Sequence, residues 1–404
     1  MKIVISYPAL ACNQRYPTLG QNRQFQYFRE PTYIYPMVPA QAATLLKQAG
    51  HQVIWNDCIA QGWDIQRFFK FIQKERPDLV AFETKTPVIK RLWRIVSELK
   101  SLSEDNWKLI IVLFGDHVTA LPEESFQNSP VDFVLTGGDY DFLLLNLCNF
   151  LSNPEDTKLE AGIYYRDNGQ IQNTGKFQLN HDLDSLPFID RDLTKWQLYA
   201  YKNGNYKMTP GTYIMSGRDC WWANCSFCAW RQLYPKFRLR HPDNVLDEIG
   251  ILIAKYKVKE IMDDTGTFPV GDWLREFCTG MINRGYSQKI YFDCNMRFGV
   301  LSYDDLKLMK KAGFRLLLFG LESANQETLD RIKKGITLER VIEDCKLATQ
   351  AGLFPHITVM FGYPWEDSQD ALKTLRFVRW LLKKGLVYTM QATIVIPYPG
   401  SRLF

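Results

Sequence analysis

The stretch Thr212-Tyr213-Ile214-Met215-Ser216-Gly217-Arg218-Asp219-Cys220-Trp221-Trp222-Ala223-Asn224-Cys225-Ser226-Phe227-Cys228 runs from an apolar segment into three thiols within nine residues, spaced C-x₄-C-x₂-C. Such crowding needs a chemical reason. A disulfide takes two cysteines and leaves one over, and nothing else in the sequence points to an oxidising compartment. Structural zinc usually takes four Cys or His ligands in two separated pairs. His241, Cys278 or Cys294 would have to supply the fourth, and none repeats a zinc-finger spacing. Iron–sulfur clusters are held by thiolates, and the number supplied decides the chemistry. Four cysteines close a cubane for electron transfer; three leave one iron open to an external ligand. The spacing favours a three-cysteine cluster over zinc and over an accident of packing.

Outward from this loop, strand and helix patterns alternate six times from Gly211 on. Strands are predicted near Thr212–Met215, Lys259–Met262, Lys289–Phe292, Phe314–Phe319, His356–Met360 and Gln391–Ile396. The intervening helices are amphipathic, with Val245, Ile249, Leu252 and Tyr256 marking the first face. Six such units over 206–404 predict an open, partial (β/α)6 barrel of the TIM type, because eight would need more chain. The sequence stops at Pro399-Gly400-Ser401-Arg402-Leu403-Phe404, just past the sixth strand and before the helix expected there. A truncated product, or one part of a split protein, is the expectation.

Residues 1–150 carry the same alternation. Lys2–Ser6, Gln52–Trp55, Leu79–Glu83, Leu109–Phe114 and Phe133–Leu135 read as strands, and Pro39–Ala49, Ile65–Lys74 and Val88–Leu102 as helices. Gly50 follows the first helix as a stop. This rhythm predicts a doubly wound, Rossmann-like (flavodoxin-like) parallel sheet, which binds ligands beyond the carboxyl ends of its strands. Residues 151–205 read as a hairpin around Asp167-Asn168-Gly169, followed by a polar linker His181-Asp182-Leu183-Asp184-Ser185-Leu186-Pro187-Phe188.

Composition narrows the class. The chain has 404 residues, 46% hydrophobic and 23% charged, enough for two cores in an ordinary globular protein. Its net charge of +5 is weak and dispersed, so no nucleic-acid footprint is read. No run of about 18 apolar residues occurs, so no membrane span is predicted. The start, Met1 to Pro8, reads as a short strand stopped by proline, not a signal peptide. Nine cysteines, mostly scattered singly in apolar runs, suit a reducing cytoplasm.

The cysteine loop resembles that of the radical S-adenosylmethionine (SAM) enzymes. Their usual motif is C-x₃-C-x₂-C with an aromatic residue before the last cysteine, the place of Phe227. Here the first gap holds four residues. A Cys-Trp-Trp loop with a lengthened gap is similar to the subset that carries an N-terminal cobalamin-binding domain. The resemblance implies that Cys220, Cys225 and Cys228 ligate three irons of a 4Fe–4S cluster, and that the fourth iron chelates SAM. Reductive cleavage of SAM would then give a 5′-deoxyadenosyl radical that takes hydrogen from an unactivated carbon.

The other strand ends resemble the family in order. Asp264, in Asp263-Asp264-Thr265-Gly266-Thr267-Phe268, would face the methionine amine; an Asx turn is the plainer reading. Arg297, after Asp293-Cys294-Asn295-Met296, would clamp the methionine carboxylate, with a surface salt bridge as the alternative. Glu322 and Ser323, in Gly320-Leu321-Glu322-Ser323 and followed by Lys333-Lys334-Gly335-Ile336-Thr337, would face cofactor or substrate. Gly362 would admit the adenine, or simply end a strand. Pro397-Tyr398-Pro399-Gly400 is family-like too. In the first domain, Pro36–Gly50, the Gly115–Pro122 turn and the Gly137-Gly138-Asp139 turn resemble cobalamin-binding domains. Gly115 and Gly137 would let backbone approach the corrin; ordinary βα turns are the alternative. No Asp-x-His-x-x-Gly motif occurs, so a cobalt without a histidine below it is expected, and His117 sits at a different strand end.

The resemblance thus implies SAM, a 4Fe–4S cluster and cobalamin as cofactors, a small-molecule or peptide substrate, and an electron donor such as flavodoxin or ferredoxin. Cobalamin-dependent relatives most often methylate carbon; others of similar architecture cyclise or oxidise. A non-catalytic cluster- or cobalamin-binding subunit is the reading from another class. Methylthiotransferases bring a second cysteine set, and Cys12, Cys58 and Cys148 do not fall at three successive strand ends as that set would.

Overall fold

A computed structural model describes residues 1–10, 16–18, 26–104 and 106–404. Cys12 lies outside the described residues. The chain packs as two compact units. The first is Met1–Gly204 with Ala229–Lys236 and Tyr398–Gly400; the second is Asn205–Cys228, Phe237–Pro397 and Ser401–Phe404.

The first unit is built on a sheet of seven strands: β1 (Lys2–Tyr7), β2 (Gln52–Asp57), β3 (Leu79–Thr84), β4 (Ile110–Gly115), β5 (Phe133–Leu135), β6 (Ile163–Asp167) and β7 (Gln170–Asn173). Their order is β2-β1-β3-β4-β5-β6-β7, with the first five parallel and the last two antiparallel. The run 2-1-3-4-5 is the flavodoxin-like order, whose topological switch point lies between β1 and β3. Ile3, Val4 and Ile5 meet Leu79, Val80 and Ala81 in register, all 0–1% exposed, as strands covered on both faces require. Helix Met37–Gln48 ends before Gly50, whose φ of +86° lets its N–H return to Lys47 O.

The hairpin between β6 and β7 turns through Asn168 and Gly169, both at positive φ, as a primed two-residue turn demands. It extends the first sheet, so residues 151–204 pack as part of the first unit. Within it, the His181 imidazole lies flat on Phe142 at 4.1 Å and holds Asp139 (3.2 Å) and Glu160 (3.0 Å), one on each ring nitrogen. Burial alone would lower its pKa, but bonds to the two carboxylates outweigh that and push it up to about 9. A group raised in the fold stabilises it fully below its unfolded pKa, about 6.5, and the gain is lost as pH rises through the folded value. Thermal unfolding of the wild-type chain is therefore expected to lose midpoint between pH 7 and 9. His181→Gln should lower the midpoint at pH 7 and flatten this decline; a variant with an unaltered pH profile would remove the clamp from the account.

The second unit is a six-stranded parallel half-barrel in the order β8-β9-β10-β11-β12-β13: β8 (Gly211–Ile214), β9 (Glu260–Asp263), β10 (Tyr291–Met296), β11 (Phe314–Glu322), β12 (Phe354–Phe361) and β13 (Thr389–Ile394). Helix Pro242–Ala254 buries Val245, Ile249 and Leu252, but stops before Tyr256, because the chain turns through Lys257 at φ +54°. β10 runs to Met296 rather than ending near Phe292. Asp293 is thus a mid-strand residue paired with Met262, not a strand-end group. Its side chain is buried with Glu260 around Arg315, whose Nη2 donates to both carboxylates at 2.6 Å and to Asn205 O at 2.7 Å. Glu260 also accepts from the N–H groups of Lys207 and Met208, which fastens the entering chain to the amino end of the strands.

Candidate active site

The thiol loop leaves the carboxyl end of β8, and Asp263, at the end of β9, fixes its start. Fully buried, Asp263 accepts from Ser216 N (2.9 Å), Ser216 Oγ (2.5 Å) and Thr265 N (2.9 Å). Thr265 Oγ1 in turn accepts from Gly217 N at 3.0 Å. Gly217-Arg218 pairs antiparallel with Arg238-Leu239, and Asp219 and Ala223 take positive φ as the loop folds over. Ser226 N bonds Ile332 O (2.9 Å) and Trp222 Nε1 bonds Lys333 O (3.2 Å), tying the loop to the segment after β11.

Cys220, Cys225 and Cys228 are all partly exposed, whereas Cys58, Cys148, Cys278, Cys294 and Cys345 are buried and burial raises their thiol pKa values. Thr267 Oγ1 lies 2.9 Å from Cys220 Sγ, in place to donate to a thiolate. Burial also raises Cys225, but Lys334 and then Arg297 oppose it, while Glu322 and Cys220 add to the rise. Two cations beside three accessible thiols suit ligands that must be deprotonated to bind metal.

Of the residues expected around the thiols, Arg297 stacks on Trp222, its guanidinium carbon 3.6 Å from the ring centroid, and donates to Gly335 O at 2.8 Å. Glu322 ends β11 in a left-handed conformation, φ +72°, and pairs with Lys334 at 2.7 Å. Ser323 Oγ donates to Glu366 Oε1 at 2.6 Å, and Ala324 N to Thr374 Oγ1 at 2.9 Å. Asp264 is buried at the exit of β9, its N–H on Ile214 O. Gly362 follows β12 at φ +91° with little packed over it. The charges of Arg297 and Glu322 bear on Cys225.

Asp263, Thr267, Lys334 and Tyr363 are the residues that sequence reasoning passed over. A lysine beside Lys333 in a polar loop reads as a solvated charge, and no local signal separates the two. Asp263 was legible in principle, since an Asx turn to Thr265 would mark it.

The carboxyl edge of the first sheet forms its own polar cluster. Glu83 accepts from Tyr7 Oη and, at 3.5 Å, from Tyr140 Oη. Lys85 stands 3.5 Å from Glu83 and 3.4 Å from Asp116, all buried. Desolvation raises Glu83, with Lys85 opposing it. Asp116 Oδ1 is buried without a hydrogen-bond partner among the described residues. Gly115 takes φ +111°, and a Cβ there would sit 2.8 Å from Thr84 O. At Gly137 the ring of Phe177 fills the space a Cβ would need. His117 is 3% exposed, with Nδ1 on Thr86 Oγ1 (3.1 Å) and Nε2 on Glu124 (2.9 Å).

Residues 214–378, from the thiol strand through the helix after β12, match the radical SAM superfamily. That stretch is a radical SAM domain. The cofactors of such domains are a 4Fe–4S cluster and SAM. An uncharacterized methyltransferase of Pyrococcus horikoshii is 27% identical over 91% of this chain and 77% of its own length. The anaerobic magnesium-protoporphyrin IX monomethyl ester cyclase of Cereibacter sphaeroides is 26% identical over 89% of this chain and 58% of its own. The structure of TsrM, a radical SAM methyltransferase of Kitasatospora setae with cobalamin and a 4Fe–4S cluster bound, superposes with a TM-score of 0.72. It is 14% identical and covers 100% of this chain and 73% of TsrM. That likeness establishes the fold of the chain. No helix among its described residues is long and apolar enough to cross a membrane.

Proposed function

We propose that this chain is a cytoplasmic, cobalamin-dependent radical SAM C-methyltransferase acting on an unactivated carbon of a small molecule or peptide. The reading is carried by one observation: a flavodoxin-like unit and a parallel half-barrel that opens its first strand into three accessible thiols stand in one chain. Cys220, Cys225 and Cys228 hold the cluster, and the donor set suits it: three partly exposed thiols, a hydroxyl on Cys220 and two cations bearing on Cys225. When bound there and reduced by a flavodoxin- or ferredoxin-like donor, such a cluster would supply the electron for cleavage of SAM to a 5′-deoxyadenosyl radical. Arg297 and Glu322 orient the SAM methionine moiety by charge, and Gly362 leaves room for its adenine.

Cobalamin fits the carboxyl edge of the first sheet. Asp116 Oδ1 is a buried acceptor lacking a donor, and the corrin carries primary amides that would supply one. Gly115 beside it is packed against the Thr84 backbone, which leaves no space for a side chain. Both ring nitrogens of His117 are engaged, by Thr86 and Glu124, so this histidine would not be available to hold a cobalt.

The likeness to the cyclase favours a second reading, in which the radical closes a ring or oxidises the substrate. Product analysis of anaerobically reconstituted protein separates the two. A methyltransferase should give 5′-deoxyadenosine and S-adenosylhomocysteine in comparable amounts with its substrate present. Deoxyadenosine alone would favour the cyclase reading, and no SAM cleavage would leave a binding subunit. For the cofactor itself, paramagnetic resonance of bound cob(II)alamin should show no axial nitrogen splitting. A splitting lost in His117→Ala would refute that arrangement.

A further inference from the structure

We propose that Lys334 sets the reduction potential of the iron–sulfur cluster, held beside Cys225 by Glu322 in a slot that Gly320 keeps open. The inference rests on the assignment of the cluster to Cys220, Cys225 and Cys228. The Lys334 ammonium stands over the ring of Phe227, between Cys225 and Cys228 in the thiol loop, at 5.9 Å from its centroid, and its charge and the opposite charge of Glu322 both bear on Cys225. The Lys334 ammonium is 12% exposed and 2.7 Å from Glu322 Oε1. A Cβ at Gly320 would collide with both the Glu322 carboxylate and the Lys334 ammonium. Glycine there leaves the space in which the two groups meet, and the register shift between Gly320 and Glu322, with φ +72° at Glu322, turns the carboxylate to meet the lysine.

An independent observation points to an acceptor at the same place. Tyr363 is 2% exposed, yet its hydroxyl has no hydrogen-bond partner among the described residues. The charges that bear on that hydroxyl are those of Glu322, Glu366 and Cys225. A buried O–H without an acceptor is costly, and a cluster sulfur beside Cys225 would satisfy it. Cluster potentials follow net charge, hydrogen bonds to sulfur and solvent exposure. A fixed ammonium beside the thiol loop would favour the reduced, more negative cluster, while Glu322 moderates the effect and fixes its position. Lys334 acts as a positioning and tuning residue and takes part in no bond-making.

Potentiometric titration of the reconstituted full chain, followed by the paramagnetic signal of the reduced cluster, tests this. Lys334→Met is expected to keep about four irons per chain and to move the midpoint to a more negative potential. Lys334→Arg should stay near wild type. Glu322→Gln, which removes the opposing charge, should move the midpoint the other way. If Lys334→Met fails to take up iron, the opposite shift in Glu322→Gln carries the test. A wild-type chain that binds no iron would end the cluster assignment and this inference with it. Iron-loaded variants with unshifted midpoints, or with both shifts of one sign, would overturn this inference alone.

Discussion

Replacing any one of Cys220, Cys225 or Cys228 by alanine is expected to reduce iron from about four per chain to near zero after anaerobic reconstitution, and to abolish deoxyadenosine formation. Two thiolates cannot hold a cubane that already depends on an external ligand for its fourth iron. The contrast within the same half-barrel makes the prediction sharp. Cys278 and Cys294 are 0% exposed, and burial keeps their thiols protonated. Cys278→Ala and Cys294→Ala should therefore keep full iron and SAM cleavage, at a stability loss of about 1 kcal/mol each for the small cavity created. Iron and sulfide analysis of the five variants decides it. Full cluster in Cys225→Ala, or loss of cluster in Cys278→Ala with the fold intact, would refute the ligand assignment.

Arg315→Met is expected to have the largest effect on stability, about 3–5 kcal/mol, because it leaves Glu260 and Asp293 buried without their cation. Both carboxylates are 0–1% exposed, and Arg315 is 3% exposed. Desolvation drives Asp293 well above the usual carboxylate range; Arg315 opposes the rise and Glu260 adds to it. With the guanidinium gone, Asp293 would rise further. Acids raised in the fold weaken it as pH climbs from their unfolded values, so the deficit should be greater at pH 7 than at pH 5. In the wild type His356 is lowered to about 4, by burial first and by the Arg315 charge second, so the variant keeps the larger of the two causes. Denaturant unfolding at the two pH values reads the difference. Changing all three residues together, with Glu260→Gln and Asp293→Asn, should be far milder, since burying a matched ion cluster gains little over neutral packing. A single variant as stable as wild type at pH 7 would mean that the triad is structurally idle.

The sequence by itself determined the order of elements and the chemistry of one loop. Strands such as Ile3–Ile5 and Leu79–Phe82 are continuous apolar runs because both sheet faces are covered, so they announce themselves locally. The stop at Gly50 and the turn at Asn168-Gly169 are local as well, set by backbone conformations that few residues accept. Three thiols in nine residues need no tertiary context to be noticed. What only the tertiary structure decided is which charges meet. Glu260, Asp293 and Arg315 come from three strands, and parallel register, invisible in any one of them, makes a triad of what reads as scattered charge. Lys334 and Lys333 are alike in sequence; a register shift and a bare Gly320 place one of them on Glu322 beside Cys225. The turn at Gly137 reads the same whether a ligand or Phe177 lies over it, and only the folded chain brings Phe177 there. Local patterns record backbone preference and burial; long-range partners depend on register and packing, which arise when the strands pair.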